Sequence, residues 1–176
     1  SRGEVRGAED LVDRGVGVPV AVRGARAGMT LVIRIDEVSP GSWGATMTRP
    51  PHWLEWALAG GTARCGRYEV PLRPFFGVLG MPPPEPGTYA THPPRPWGGN
   101  IDCKELVAGT TLFLPVPVDG ALFSVGDPHG AQGDGEVSGT AIECGAQGQV
   151  TLDLREAFRD AVVRPFVRSA WVPSAN

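Results

Sequence analysis

Apolar and polar positions alternate with a period of two over most of this chain, and that pattern predicts strands. Val18, Val20 and Val22 alternate with Pro19 and Ala21; after the turn GARAG, the run Met29 to Val38 puts Leu31, Ile33 and Ile35 on one face and Arg34 and Asp36 on the other. This is the signature of a half-buried hairpin, with Pro19 assigning the first strand to an edge. Ser39 to Pro51 reads as a loop from its Pro and Gly content, with Trp43 as an anchor, and His52 to Trp56 fits either a strand or one turn of helix. Arg67 to Leu72 reads as a strand and Pro74 to Leu79 as a buried extended run.

Thr111 to Val116 places Leu112, Leu114 and Val116 on one face, Asp119-Gly120 offers a tight turn, and Ala121 to Val125 returns, which predicts a second hairpin. Val137 to Glu143 and Gln149 to Leu154 make two further strands around the turn CGAQG. At the ends, Ala8 to Val12 is too short a helical pattern to stand alone, so the first fifteen residues are expected to fray. Phe158, Ala161 and Val162 recur at helical spacing before Pro165, predicting one amphipathic helix over Arg155 to Val163. The expectation is an all-β sandwich or barrel-like domain of short strands with one C-terminal helix, a single domain over residues 1–176.

Composition narrows the function classes. The 176 residues are 41% hydrophobic with a net charge of −3, enough for one sizeable core. A slightly acidic chain with Lys104 as its one lysine has no basic cluster for phosphates, which argues against nucleic acid as a partner. No apolar run is long enough to span a bilayer and the N-terminus has no hydrophobic signal core, so a cytoplasmic location and no membrane partner are expected. Three cysteines, at 65, 103 and 144, lack the C-x-x-C spacing of a disulfide framework or zinc knuckle and are expected to be reduced thiols, with Cys103 inert.

The chemistry is concentrated between Gly98 and Glu143. The run GDPHGAQGDGE, ending at Glu136, carries two aspartates, a histidine, a glutamine and a glutamate among glycines, with no cation and no bulky apolar side chain. It reads as a loop rather than a core strand. Asp127 and His129, and likewise Asp134 and Glu136, are two apart and share one side of an extended backbone. Carboxylates with an imidazole make a plausible shell for zinc or another divalent transition metal. On the residues alone, an acidic glycine-rich turn that binds nothing stays equally open. An EF-hand is disfavoured because the bidentate glutamate is absent at the required distance. The Pro-rich stretch Met81 to Gly99 either docks as one wall of a cavity over this loop or runs as a surface strap.

The runs PFFGVLGMPP, GGNIDCKELVAG and LPVPVDGALFSVGDPHGAQGDGEVSGTAIE resemble the acetamidase/formamidase family of short-chain amide hydrolases. The similarity is strongest from Pro74 to Glu143, and weaker from Val18 through Leu31 and from Val150 to Leu154. Members of that family are longer, so Ser1 falls well inside their length, and the chain departs from their pattern at Arg23 and Met29, where acids are usual.

The resemblance implies hydrolysis of formamide or acetamide to carboxylate and ammonia. With it come assignments to residues of this chain. Asp102, Asp127 and His129 are expected to hold a divalent metal, zinc first among candidates, that activates water and polarises the carbonyl. Glu136 is expected to carry the proton to the departing ammonia. Asn100 and Gln132 are expected to bind the substrate amide, and Lys104 to stabilise the oxyanion. Glu105 and Glu143 are taken as solvated or one layer out from the site. The alternative is a shortened, catalytically silent chain serving as a metal-binding or assembly domain. Glycine-rich strands with an uncovered sheet face or edge also predict a homo-oligomer.

Overall fold

The computed structural model describes residues 17–48 and 52–157, together with the backbone of residues 3–5 and 166–168. The described residues form strands β1 (Gly3–Val5), β2 (Thr30–Thr48), β3 (His52–Ala59), β4 (Thr62–Cys65), β5 (Tyr68–Pro71), β6 (Phe75–Gly80), β7 (Gly98–Asn100), β8 (Thr111–Pro115), β9 (Ser124–His129), β10 (Glu143–Arg155) and β11 (Phe166–Arg168). All pairings are antiparallel. The sheet runs β5-β4-β3-β2-β10-β9-β6-β7, with β8 joined to β2 and β11, and β1 joined to β10. The all-β expectation therefore holds. The C-terminal helix is not seen: Arg155 is still in β10, residues 156 and 157 are irregular, and 158–165 lie outside the described residues. So does the pattern Ala8 to Val12, whereas Gly3–Val5, in the stretch expected to fray, pairs with Val150 to Leu152.

The two long strands β2 and β10 lie side by side, from Thr30 opposite Arg155 to Ala45 opposite Glu143. Leu31, Ile33 and Ile35 point inward and are fully buried, as their alternation predicts, contributing about 1.5–3 kcal/mol each. A bulge at Asp36 then shifts the phase, so that the next inward side chain is Val38. Outside, Thr151 Oγ1 donates to Asp36 Oδ2 at 2.6 Å and Arg34 pairs with Asp36 Oδ1 at 2.8 Å. Phe76 and Leu79 of β6 share one core with these β2 residues, with Leu112 and Leu114 of β8 and with Leu106 and Phe123, so the sheet folds over on itself.

Several boundaries differ from the sequence reading, each for a local reason. Ser39 to Thr48 is strand instead of loop, because Pro40 faces Ala146 beside a second bulge, where a missing N–H is tolerated. Trp43 is no anchor but 65% exposed, opposite Ala57 of β3. The expected turn CGAQG is likewise part of β10. There the bare backbone of Gly148 lies under the Phe76 ring, so close that a Cβ would come 2.4 Å from Cζ.

Neither predicted hairpin forms. Val20 bridges to Phe123, while β2 takes β8 as its partner. The turn at Asp119-Gly120 exists, but β8 is flanked by β2 and β11, and Ala121 and Leu122 at φ 59° and 57° steer the chain to β6. Residues 137–142 are irregular. The Pro-rich strap docks: Thr91 O accepts from Asn100 N at 2.9 Å, Trp97 O accepts from Met81 N at 3.0 Å, and Trp97 packs against the core.

The closest packing is between β6 and β7. Gly98, at φ 89°, has no room for a side chain, since a Cβ would lie 2.2 Å from Leu79 O and 2.8 Å from Gly80 Cα, both backbone atoms. Gly98→Ala is expected to cost more than about 3 kcal/mol in chemical denaturation. Gly61→Ala, at φ 74° with open space around it, should cost only the left-handed penalty of about 1–2 kcal/mol. Equal losses in the two variants would contradict this packing.

Candidate metal and catalytic site

The site is organised over Gly77 in the middle of β6. This strand, FFGVLG, is buried at every position. β9 runs beside it, with Phe75 opposite His129, Phe76 opposite Pro128 and Val78 opposite Gly126; the ladder skips Gly77 and Asp127. Asp127 sits there at φ 55°. On the other side, the carbonyl of Gly77 accepts the N–H groups of Ile101 and Asp102 at 2.8 and 3.1 Å, which holds Asp102 at φ 46° just beyond β7. A Cβ at Gly77 would lie 2.6 Å from Asp102 Oδ1, 3.0 Å from Asp127 Oδ2 and 3.0 Å from His129 Cε1. The three side chains converge on the space that glycine leaves.

His129 is the buried centre, 1% exposed, with its ring edge-on to Phe75 at 4.9 Å between centroids. Its Nε2 lies 3.2 Å from Glu143 Oε2 and 3.6 Å from Asp127 Oδ2. Its Nδ1 lies 3.0 Å from Gln132 Oε1, and Gln132 Nε2 donates to the main-chain oxygen of Asp102 at 2.8 Å. Asn100 Nδ2 donates to Asp102 Oδ2 in a very short contact. Glu136 enters from the single 3-10 turn Asp134–Glu136, and its carboxylate groups with Asp102 and His129, all ligand atoms within 4.8 Å of one another. Asp127, His129 and Glu143 form a second such group.

Two features set this cluster apart. Among the described residues, five that are not glycine have positive φ, and three of them are Asp102, Asp127 and Glu136. Left-handed backbone at a side-chain-bearing residue costs about 1–3 kcal/mol and persists where the surroundings impose it. The other feature is electrostatic. Burial, followed by the charges of Asp127 and Glu143, raises the pKa of Asp102 against the opposing pull of His129. Burial and the charge of Asp102 raise that of Glu136. Burial disfavours the imidazolium of His129, but Asp127 and Glu143 overcome it and lift its pKa to about 10.

The residues fit a divalent cation. Asp102 Oδ1 is buried without a hydrogen-bond partner, four carboxylates crowd one imidazole, and the mixed nitrogen and oxygen donors suit zinc and its neighbours. The structure thus brings Asp102, Asp127, His129 and Glu136, four of the expected site residues, together. The pair Asp134 and Glu136 does not converge, because Gly135 at φ 73° turns the chain and Asp134 faces outward, where its Oδ1 holds Lys104 Nζ at 2.7 Å. Lys104 also lies 3.9 Å from Glu105. Asn100 and Gln132 direct amide groups into the site's own hydrogen bonds. Glu143, expected to be solvated or one layer out, lies against His129, and Gly77 had no expected role. The signal for Glu143 is weak in the sequence, since it needs the pairing of Glu143 with His129 that the β9–β10 contact supplies. Glu136 opens onto a groove of about 480 Å³ lined by Thr48, Gly133, Val137, Ser138 and Thr140. A comparable cavity of about 520 Å³, at Gly24, Arg26 and Glu156, contains none of these clustered groups.

Residues 86–167 match the profile of the Acetamidase/Formamidase family. Over those residues the chain is similar to the acetamidase/formamidase family. The acetamidase of Mycolicibacterium smegmatis is 48% identical over 65 residues, 36% of this chain and 16% of that protein. The fold is similar to that of a predicted acetamidase/formamidase from Thermoanaerobacter tengcongensis (TM-score 0.81, 25% identity, 88% of this chain and 55% of that one). It is also similar to that of an acetamidase from Bacillus halodurans (TM-score 0.79, 30% identity, 86% of this chain and 54% of that one). The chain therefore spans just over half the length of these acetamidase/formamidase structures, and its match to the curated relative covers 16% of that protein.

In metal-free protein the raised pKa of His129 links stability to pH. The folded state binds this proton more tightly than the unfolded chain, so the stability it adds is full below pH 6.5 and is lost as pH rises to about 10. Asp102 and Glu136, also raised, act in the same direction at lower pH. The melting temperature is expected to fall through the His129 window and to flatten there in His129→Gln; a flat parent profile would contradict the assignment. Gly77→Ala should leave cooperative unfolding intact, because the atoms it meets are side-chain ends, while divalent-ion affinity by chelator competition falls about tenfold or more.

Proposed function

We propose that this chain hydrolyses a short-chain amide of the formamide or acetamide type to carboxylate and ammonia, with assistance from a divalent metal. The observation that carries this reading is the convergence of Asp102, Asp127 and His129 over Gly77, with Asp102 Oδ1 buried and unpartnered. Those three residues would hold the ion, zinc in our reading, which when bound supplies an activated water and polarises the carbonyl. Glu136 takes the water's proton on its carboxylate and delivers it to the leaving nitrogen. Burial and the neighbouring Asp102 push its pKa up towards the range a proton carrier needs at neutral pH. Glu143, 3.2 Å from His129 Nε2, adds a carboxylate beside the nitrogen that would hold the ion. Lys104 has to leave Asp134 to reach an oxyanion, and substrate contact by Asn100 or Gln132 has to replace bonds these side chains already make.

A second reading is a metal-binding or assembly domain without turnover. Outward-facing Trp43 and Trp53, 65% and 63% exposed, support self-association, which sedimentation at micromolar concentration tests.

Metal content and ammonia release, measured on the same preparation with formamide and acetamide, separate the two readings. Glu136→Gln is expected to retain the ion and lose roughly two to four orders of magnitude in turnover. Loss of the ion in this variant would make Glu136 a ligand, and an unchanged rate would remove it from the mechanism.

A further inference from the structure

Gln132 joins two parts of the site that approach from different strands, and its two ends are not interchangeable. The main-chain oxygen of Asp102 can only accept a hydrogen bond, so the NH2 end of Gln132 must face it, at 2.8 Å. Oε1 is thereby turned towards His129 Nδ1, at 3.0 Å. An oxygen there is an acceptor, so Nδ1 carries a proton whether the ring is charged, with a second proton on Nε2, or neutral. Nε2 is then the nitrogen that faces Asp127 Oδ2 and Glu143 Oε2. The backbone around Gln132 is itself clamped, since Gly130 N donates to Ile142 O at 2.8 Å and Ile142 N donates to Ala131 O at 3.0 Å.

The geometry points to Gln132 as the positioning residue of the site: it keeps the proton on His129 Nδ1, leaves Nε2 as the ligand atom, and ties the Asp102 turn to the same imidazole. The sequence alone assigns this side chain to substrate, because a glutamine in a glycine-rich acidic run offers both a donor and an acceptor. In the fold, the donor is committed to Asp102 and the acceptor to His129. The inference rests on the proposed metal-assisted reaction for its purpose, but its geometry does not depend on turnover.

The test uses the full chain stripped of metal, with Zn2+ alone as the probe and a chromogenic chelator as competitor. Gln132→Met preserves length and packing but removes the acceptor, and is expected to bind Zn2+ 10- to 100-fold more weakly, the usual effect of removing the partner of a ligating histidine. Gln132→Glu keeps an oxygen facing Nδ1–H and should recover most of that affinity. A role in packing alone predicts the reverse order, with methionine tolerated and the charged variant damaged. Zn2+ affinity unchanged in Gln132→Met, or equally reduced in both variants, overturns the inference.

Ammonia release is read separately, so a chain that binds Zn2+ yet hydrolyses no amide ends the proposed reaction and leaves Gln132 in place. If the parent takes up no Zn2+, or if Gln132→Met does not fold, the ring proton decides. Nitrogen-correlated NMR of the metal-free parent should show a slowly exchanging N–H on His129 Nδ1, and Gln132→Glu should retain it. A parent lacking that resonance overturns the assignment.

Discussion

The absence of one side chain, at Gly77, is what the site depends on. A strand buried at every position has no polar function of its own, yet the carbonyl of this residue captures the N–H groups of Ile101 and Asp102. The space where a Cβ would stand is filled by Asp102, Asp127 and His129. One position thus sets both the backbone and the side-chain geometry of the candidate ligands. It works because β9 skips its pairing there, which frees Asp127 to turn inward instead of continuing the ladder.

That arrangement is electrostatically uncomfortable, and the discomfort is informative. Four carboxylates around one imidazole repel one another in a partly buried place. The fold answers in part through His129, whose pKa of about 10 keeps it charged when no other cation is present, and in part by raising the pKa values of Asp102 and Glu136. Backbone strain at Asp102, Asp127 and Glu136 adds to the cost. Lys104 and Asp134, which neutralise each other on the outside, bring no relief inside. A bound divalent ion would remove the repulsion at one stroke, which is why strain, burial and charge point to the same chemistry.

The large-scale fold serves the site through its two long strands. Since β2 and β10 stay paired through two bulges, the first residue of β10, Glu143, is held opposite His129 at the end of β9. The Pro-rich strap reaches the same neighbourhood by binding Asn100 through Thr91. The catalytic and ligating candidates therefore come from separate stretches, around residues 77, 102, 129, 136 and 143, and each is fixed by backbone hydrogen bonds.

Much of this was legible in the chain itself. Period-two alternation marked β2 as half-buried, because side chains on successive strand residues face opposite ways whatever the partner. The residue types between Asn100 and Glu136, and the motifs that carry the family resemblance, singled out Asp102, Asp127, His129 and Glu136 as candidates, because carboxylates and an imidazole are the donors a divalent ion takes. Partners are another matter. Which strand lies beside which depends on contacts between residues far apart in the chain, so the two expected hairpins gave way to pairings of β2 with β8 and of β6 with β9. The glycines and prolines that looked like turns at Pro40 and Gly148 became bulges and close contacts under Phe76. Only tertiary structure could show that Glu143 faces His129, that Gln132 is engaged at both ends, and that Gly77 makes the room, since each is a fact about neighbours rather than about residues.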